Sequence, residues 1–217
     1  MKDLARAFLS QAEKEKIKAA VAAAEKKTAG EIVPMVVSAS YHYPMSNVIG
    51  AVTFSLPLAL LLTPLAGGWF WIGSWNLWIF LGLFTLLFIL GHAVVKRTPG
   101  LKRLFISERE IEEEVEEAAV TGFFEEGLYR TRDETGILIF ISVFEHRVKV
   151  MADRGISRRV DQERWDDIVS HIVKGIKENR QAGAICEAVA TVGNLLAAHF
   201  PARPDDEDEL QDLIVKT

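Results

Sequence analysis

The sequence predicts an α/β fold: a small three-layer α/β sandwich with a mixed sheet, into which a two-helix transmembrane hairpin is inserted after the first strand. Short apolar runs that suit buried strands alternate with amphipathic segments of helical periodicity. A long uncharged stretch interrupts this pattern, since no Asp, Glu, Lys or Arg occurs between Ile32 and Val95. A strand–helix–strand connection implies that the first two strands run parallel, and a short turn implies an antiparallel third strand.

These patterns divide the chain of 217 residues into a split α/β domain, a hairpin and a tail. The expected parts are residues 1–43 and 98–200 for the two halves of the α/β domain, 44–97 for the hairpin, and 201–217 for an acidic, flexible tail.

Composition argues against nucleic-acid binding. The net charge is −5 and the isoelectric point is about 5.6, whereas a nucleic-acid-binding domain carries a basic surface. The single cysteine, Cys186, excludes an intramolecular disulfide and fits a reducing compartment.

The first half of the α/β domain contains one helix and one strand. Ser10 and Glu13 form a capping box that opens the helix, and Gly30 ends it. The run "EIVPMVVSAS" at 31–40 is short, apolar and rich in β-branched residues, which predicts a buried strand. Pro34 lies inside this run and therefore favours an edge position or a bulge.

The uncharged stretch contains two segments, at 46–66 and 75–95, that are each 21 residues long. Each spans about 31 Å as a helix, which matches the hydrocarbon core of a bilayer. Tryptophans cluster around the linker at 67–74, as aromatic residues do at membrane interfaces. We therefore expect an integral membrane protein in contact with the lipid bilayer. The alternative is a buried helical hairpin in a soluble protein.

Basic residues indicate how the hairpin is oriented. Lys96, Arg97, Lys102 and Arg103 follow the second segment, whereas the linker carries no charge. The positive-inside rule places such basic flanks in the cytoplasm. We therefore expect a multi-pass protein of the cell (inner) membrane with both termini in the cytoplasm.

The second half of the α/β domain is expected to contain a helix, two strands and two closing helices. Ser107 and Glu110 form a second capping box. The run "GILIFISV" at 136–143 predicts a central strand, and the alternating run at 147–153 predicts a partner strand in a hairpin. Between them, the "EHR" turn is expected to be a solvated tip, with contact between Arg147 and lipid phosphates as the alternative.

Carboxylates gather at the opposite end of the predicted sheet. They are Glu31, Asp133, Glu134 and Asp153. A turn at 145–146 would place Asp153 roughly opposite Leu138. Carboxylate oxygens are the ligands of hard cations, so these residues are the candidate site for Ca²⁺ or Mg²⁺. The alternative is that they only cap and solvate strand ends.

The sequence contains none of several common catalytic motifs. It has no P-loop, no G-x-G-x-x-G after a strand, no G-x-S-x-G and no H-E-x-x-H. Cys186 has no arginine placed to form a phosphate-binding loop after it, and the histidines form no pair at i and i+4.

The stretches "KKTAGEIVPMVVSAS" and "FFEEGLYRTRDETGILIFISVFEHRVKVMADRGI" resemble the TPM domain family once residues 44–97 are excised. That family includes thylakoid-lumen acid phosphatases, a photosystem II repair factor and a modulator of acetylcholine receptors. The resemblance implies an α/β sandwich that binds Ca²⁺ or hydrolyses phosphomonoesters in some members. By position, Glu31, Asp133, Gly136 and Gly155 match the family's pattern. The usual Gly-x-Gly-Leu-Glu loop is replaced here by residues 153–157, which lack one glycine and the glutamate.

Two functions remain open at this point. The first is a module that faces the cytoplasm and binds another membrane protein or complex, supporting its assembly or repair. The lack of a nucleophile or a convergent acid–base pair favours it. The second is a metal-dependent phosphatase that acts on phosphomonoesters through the carboxylate end of the sheet, where a cation could activate a water.

Overall fold

The computed structural model describes residues 4–70, 76–203 and 210–216. Half of the predicted linker (71–74) and the first residue of the second apolar segment therefore lie outside the described residues, as does part of the predicted tail. The chain divides into two compact units. One comprises residues 1–41 and 112–217, and the other comprises residues 42–111.

The predicted helices and strands occur in the expected order, and the described residues also form three short α-helices and a short strand that were not predicted. The helices are α1 (Leu4–Phe8), α2 (Gln11–Glu25), α3 (Pro44–Phe70), α4 (Asn76–Arg97), α5 (Pro99–Arg103), α6 (Glu108–Glu125), α7 (Arg154–Ser157), α8 (Gln162–Lys177) and α9 (Gln181–His199). The strands are β1 (Glu31–Val37), β2 (Gly136–Ser142), β3 (Arg147–Ala152) and β4 (Ile214–Lys216).

The four strands form one mixed sheet in the order β3-β2-β1-β4. Strands β1 and β2 are parallel, and β3 is antiparallel to β2, as the sequence predicts. The sequence analysis missed β4, which pairs parallel with β1, and predicted a flexible tail there. This strand is only three residues long and follows the acidic run at 205–209, so the local sequence does not indicate a strand.

Pro34 occupies a position in β1 where no hydrogen-bond donor is needed. On the side of β1 that faces β4, the amide of Ile32 donates to Oε1 of Glu25 (2.9 Å), and the amide of Ser38 donates to the carbonyl of Lys216 (3.1 Å). Strand residues alternate sides, so Pro34 faces this same side, just before the three residues that pair with β4. The first half of β1 is an edge, as predicted, and the second half is not.

Helices cover both faces of the sheet, which confirms the three-layer α/β sandwich. On one face, Ile32, Val36 and Ile139 belong to a core formed with α2, α8 and α9. On the other face, Gly122 of α6 lies so close that an added Cβ would stand 3.0 Å from Sδ of Met35. Both β1 and β2 are buried along their whole length, as central strands with two covered faces are.

The second unit contains the predicted helical hairpin. Ala51, Ser55 and Ala59 of α3 are buried at intervals of four residues, and Gly91 of α4 lies against Ala51, where an added Cβ would be 3.5 Å from its Cα. Small residues at such a contact allow two helices to approach closely. The large apolar side chains point outward and are exposed: Leu56, Leu58, Leu60, Leu61, Leu65, Leu77, Trp78, Leu81, Leu86, Ile89, Leu90 and Val94.

Among the described residues, three helices are long and apolar enough to cross a membrane. They are Pro44–Ala66, Asn76–Arg97 and Gln181–His199, with 23, 22 and 19 residues. The third is α9, whose residues Ile185, Val189 and Leu196 are fully buried in the core of the α/β unit. The candidate spans that remain correspond to the two segments predicted from the sequence.

Candidate functional site

The sequence-predicted carboxylates lie at the end of the sheet where β1 and β2 begin and β3 ends. The amide of Asp153 donates to the carbonyl of Gly136 (2.9 Å), so Asp153 lies opposite Gly136. The expectation that it lies opposite Leu138 is wrong by two residues, because the turn of the hairpin spans 143–146 and is centred earlier than 145–146.

Two of the four carboxylates precede β2. Asp133 forms an ion pair with Arg203, with 2.8 Å between Oδ2 and Nη1. Glu134 has a left-handed backbone with φ of 55°, and its carbonyl accepts a hydrogen bond from the amide of Gly155 (3.1 Å). Asp133 is thus engaged by an arginine that lies seventy residues further along the chain.

Asp153 begins α7 as its N-cap. Its Oδ1 accepts a hydrogen bond from the amide of Arg154 at 2.7 Å. Its Oδ2 is buried and accepts no hydrogen bond from any described residue. Capping a helix is a structural role for a carboxylate, but a buried oxygen that accepts nothing would also suit a bound ligand.

Glu31 is buried at the first position of β1, beside Gly136 of β2. Its amide donates to the carbonyl of Thr135 at 3.2 Å. The described residues include no group of three or more His, Cys, Asp or Glu side chains that could hold a metal ion. The Ca²⁺ or Mg²⁺ site at Glu31, Asp133, Glu134 and Asp153 therefore stays a prediction.

Gly136 and Gly155 serve the packing of this end of the sheet. A Cβ on Gly155 would lie 2.7 Å from the carbonyl oxygens of both Asp133 and Glu134, and one on Gly136 would lie 2.4 Å from the carbonyl oxygen of Leu128. Any larger residue would collide with backbone at both positions. This close packing explains the two glycines without a bound ion.

Arginines also surround this end of the sheet, and the sequence analysis did not include them. A cavity of about 460 Å³ is lined by Asp133, Glu134, Gly155, Arg158, Arg159, His199, Phe200, Pro201, Ala202 and Arg203. The guanidinium of Arg159 donates to the carbonyl of His199 (3.1 Å) and lies 4.5 Å from the centre of the Phe200 ring. The run "RGISRR" at 154–159 contains three arginines directly after the predicted third strand, and it could have indicated positive charge at this end of the sheet.

At the opposite end of the sheet, the turn between β2 and β3 contains a buried carboxylate. Glu145 is 0% exposed, and it accepts hydrogen bonds from the amide of Ser40 (2.9 Å) and from the hydroxyl of Ser142. The expectation of a solvated tip is wrong for Glu145 and right for His146, which is exposed. Glu145 thus connects the segment that follows β1 to the β2–β3 turn.

An exposed aromatic cluster lies at the end of α6 and in the segment that follows it. Phe124 is 56% exposed and Tyr129 is 41% exposed, and their ring centres are 5.3 Å apart. The guanidinium of Arg130 lies 5.2 Å from the centre of the Tyr129 ring, and its Nε donates to the Tyr129 hydroxyl. Aromatic residues and arginine are enriched at protein–protein interfaces. The sequence analysis treated this segment only as part of a resemblance.

Comparison with known proteins agrees with this architecture. A family model for the TPM domain matches residues 98–195. The NMR structure of the BA42 protein from the psychrophilic bacterium Bizionia argentinensis is similar, with a TM-score of 0.59 and 20% sequence identity over 97% of this chain and 96% of that chain. At this identity the likeness concerns the fold. No curated protein matches the chain. The chain carries a TPM domain, and residues 98–195 are the part that the family model matches.

Proposed function

We propose that α3 and α4 hold this protein in a membrane and that its TPM domain, on the cytoplasmic side, binds another membrane protein or complex and supports its assembly or repair. The observation that carries the proposal is the outer surface of the hairpin. Large apolar side chains cover it, Trp78 being 66% exposed, and α3 has no charged residue at all. A water-soluble protein rarely exposes an apolar surface of this extent.

A bilayer provides the environment that these side chains require. Each large aliphatic side chain gains about 2 kcal/mol when it leaves water. Two polar side chains of α3 are also suited to it, since the hydroxyls of Thr53 and Thr63 donate to the carbonyls of Ile49 and Ala59 one turn earlier. Such bonds satisfy a hydroxyl within its own helix, where no water is available.

The charge of the flanking residues supports the cytoplasmic orientation. Lys96 and Arg97 end α4 and are exposed. Lys102 is buried, and its contribution is therefore structural as well as electrostatic. The positive-inside rule counts residues this close to a membrane span.

The aromatic cluster of Phe124, Tyr129 and Arg130 is the proposed binding surface. The rings of Phe124 and Tyr129 are exposed on the α/β unit. The contact between Arg130 and Tyr129 places a guanidinium group and a phenol hydroxyl beside these apolar rings. Tyr and Arg are enriched among the few residues that carry most of the binding energy at known interfaces.

Site-specific photo-cross-linking in cells tests this function. A photoreactive amino acid at Tyr129 should give a cross-linked product with a defined membrane protein, and the product should disappear when Phe124→Ala and Arg130→Ala are added. The same group at Asp167, an exposed residue of α8, should give none. Equal products from both positions, or no product from Tyr129, would exclude this surface as the binding site.

The second candidate function is a metal-dependent phosphatase that acts on phosphomonoesters. The specific observation in its favour is the cavity where Arg158, Arg159 and Arg203 lie around Asp133. Arginine binds phosphate oxygens well, and a carboxylate can bind a metal ion. Hydrolysis of a generic phosphomonoester with Ca²⁺ or Mg²⁺ should then be lost in the Asp133→Ala/Asp153→Ala variant and kept in Asp167→Ala. Equal rates in all three proteins would exclude this activity.

A further inference from the structure

A second cavity of the α/β unit differs in character from the arginine cavity. It has a volume of about 460 Å³ and lies between α1, α8 and the turn that joins β2 to β3. Its lining residues are Ala7, Phe8, Ile141, Ser142, Val143, His146, Arg147, Val148, Val173, Ile176, Lys177, Asn179 and Gln181. We call it the α1–α8 cleft. Its size is within the range of cavities that bind small molecules.

Most of the α1–α8 cleft is apolar. Phe8, Val143, Val173 and Ile176 line it and are only partly buried, so they present apolar surface to the opening. The same side chains pack against the main core on their other side. An aliphatic chain in the cleft would cover this surface and gain about 25 cal/mol for each Å² removed from water.

The charged residues of the cleft are all basic. His146, Arg147 and Lys177 line it, and none of the described lining residues is Asp or Glu. Lys177 ends α8, and a cation in the last turn of a helix is a favourable partner for the helix dipole. A ligand that complements this lining has an apolar chain and a negatively charged head group.

Two hydrogen bonds hold α1 in place as one wall of the cleft. At the start of α1 the amide of Ala5 donates to Oγ of Ser38 (3.0 Å). At its end the carbonyl of Phe8 accepts from Nε2 of Gln181 (3.1 Å). A helix of five residues is marginal on its own, so these bonds preform the wall. A preformed site loses less entropy when a ligand binds.

We propose that the α1–α8 cleft binds a single-chain anionic amphiphile, with the aliphatic chain against Phe8, Val173 and Ile176 and the anionic head group at Lys177 and Arg147. The head group is a carboxylate, as in a fatty acid, or a phosphate, as in a lysophospholipid. The proposal concerns the α/β unit alone and does not depend on the partner-binding or phosphatase function.

Calorimetry on the full chain in phosphatidylcholine nanodiscs tests this site, with the heats of empty nanodiscs subtracted. Octanoate and octyl phosphate are the anionic probes, and octyltrimethylammonium has the same chain with the opposite charge. At least one anion should bind, and it should bind about tenfold or more tightly than the cation. Binding of octanoate alone identifies a carboxylate ligand, and binding of octyl phosphate alone identifies a phosphate ligand.

Three variants localise the binding. Val173→Trp fills the cleft and should abolish it. Lys177→Glu reverses the head-group charge and should weaken it about tenfold or more. Lys174→Glu changes an exposed residue of α8 that does not line the cleft, and it should leave affinity within about twofold. Equal binding of cation and anions, no binding of either anion, or equal losses in Lys177→Glu and Lys174→Glu would overturn the proposal. The comparison of Lys177→Glu with Lys174→Glu tests the proposed head-group site even if Val173→Trp fails to fold.

Discussion

The ammonium group of Lys102 donates a hydrogen bond to the backbone carbonyl of His42. His42 lies just before α3, and Lys102 follows α4 within the short helix α5. The contact therefore joins the chain that enters the hairpin to the chain that leaves it. Lys102 is only 4% exposed, which is unusual for a lysine and indicates that this contact is part of the folded structure.

Replacing Lys102 with methionine should destabilise the hairpin. Lys102→Met keeps the aliphatic length but removes the charged donor, so we expect a loss of about 1–3 kcal/mol in the free energy of unfolding. The midpoint of thermal unfolding in nanodiscs measures this. Lys96→Met is the matched control, because Lys96 is exposed at the end of α4. Equal midpoints for the two variants would show that the contact contributes nothing.

Helix packing inside the hairpin makes a second prediction. Gly91→Leu places a side chain against Ala51 and should cost about 1–3 kcal/mol through overpacking. Gly82→Leu is the control, because an added Cβ there meets nothing within 4 Å. Resistance to unfolding in a detergent series should fall for Gly91→Leu alone. If both variants behave alike, the two helices do not pack through Gly91.

The glycine beside the predicted metal site should tolerate no side chain. Gly155→Ala brings a methyl group against the carbonyl oxygens of Asp133 and Glu134, so we expect a loss of about 2 kcal/mol or more. Gly183→Ala in α9, where a Cβ meets nothing within 4 Å, should be neutral or stabilise by up to about 1 kcal/mol. Chemical denaturation compares the two variants. A mild effect of Gly155→Ala would show that the backbone around Gly155 shifts to accommodate a methyl group, contrary to this prediction.

The capping box of α2 predicts a pH dependence. Hydrogen bonds from the hydroxyl and the amide of Ser10 lower the pKa of Glu13 below its ordinary value. A lowered pKa in the folded state stabilises the protein above the unfolded pKa of about 4.3, and this contribution is lost as the pH falls through the folded pKa.

Stability measured at several pH values tests this sign. The native protein should be more stable than Glu13→Gln at pH 7, and the difference should shrink on acidification below about pH 4. A difference that stays constant across this range would contradict the role of the charged carboxylate.

The sequence predicts the central strands well because their apolar runs are uninterrupted. Strands β1 and β2 are buried on both faces, so "EIVPMVV" and "GILIFIS" contain almost no polar residue to blur the signal. Strand β4 has three residues, and only its pairing with β1 makes it a strand. A pairing between residues so far apart in the sequence leaves no local pattern.

The sequence predicts at which end of the sheet the candidate site lies, but it does not predict the partners of the side chains there. The order of the strands fixes which ends meet, so Asp133 and Asp153 could be assigned to one end of the sheet. The ion pair of Asp133 with Arg203 depends on how the chain returns after α9. Glu145 is a further example, because a glutamate in a turn resembles a solvated residue, and only the fold brings Ser40 and Ser142 to it.

The side of the membrane from which single cysteines can be labelled tests the central claim most directly. In a Cys186→Ser background, Ser74→Cys lies in the predicted linker and Asp167→Cys lies on the exposed surface of α8. A membrane-impermeant maleimide applied to intact cells should label Ser74→Cys alone, and Asp167→Cys should react only after permeabilisation. Labelling of Asp167→Cys in intact cells, or release of the protein from membranes by alkaline carbonate, would contradict the account.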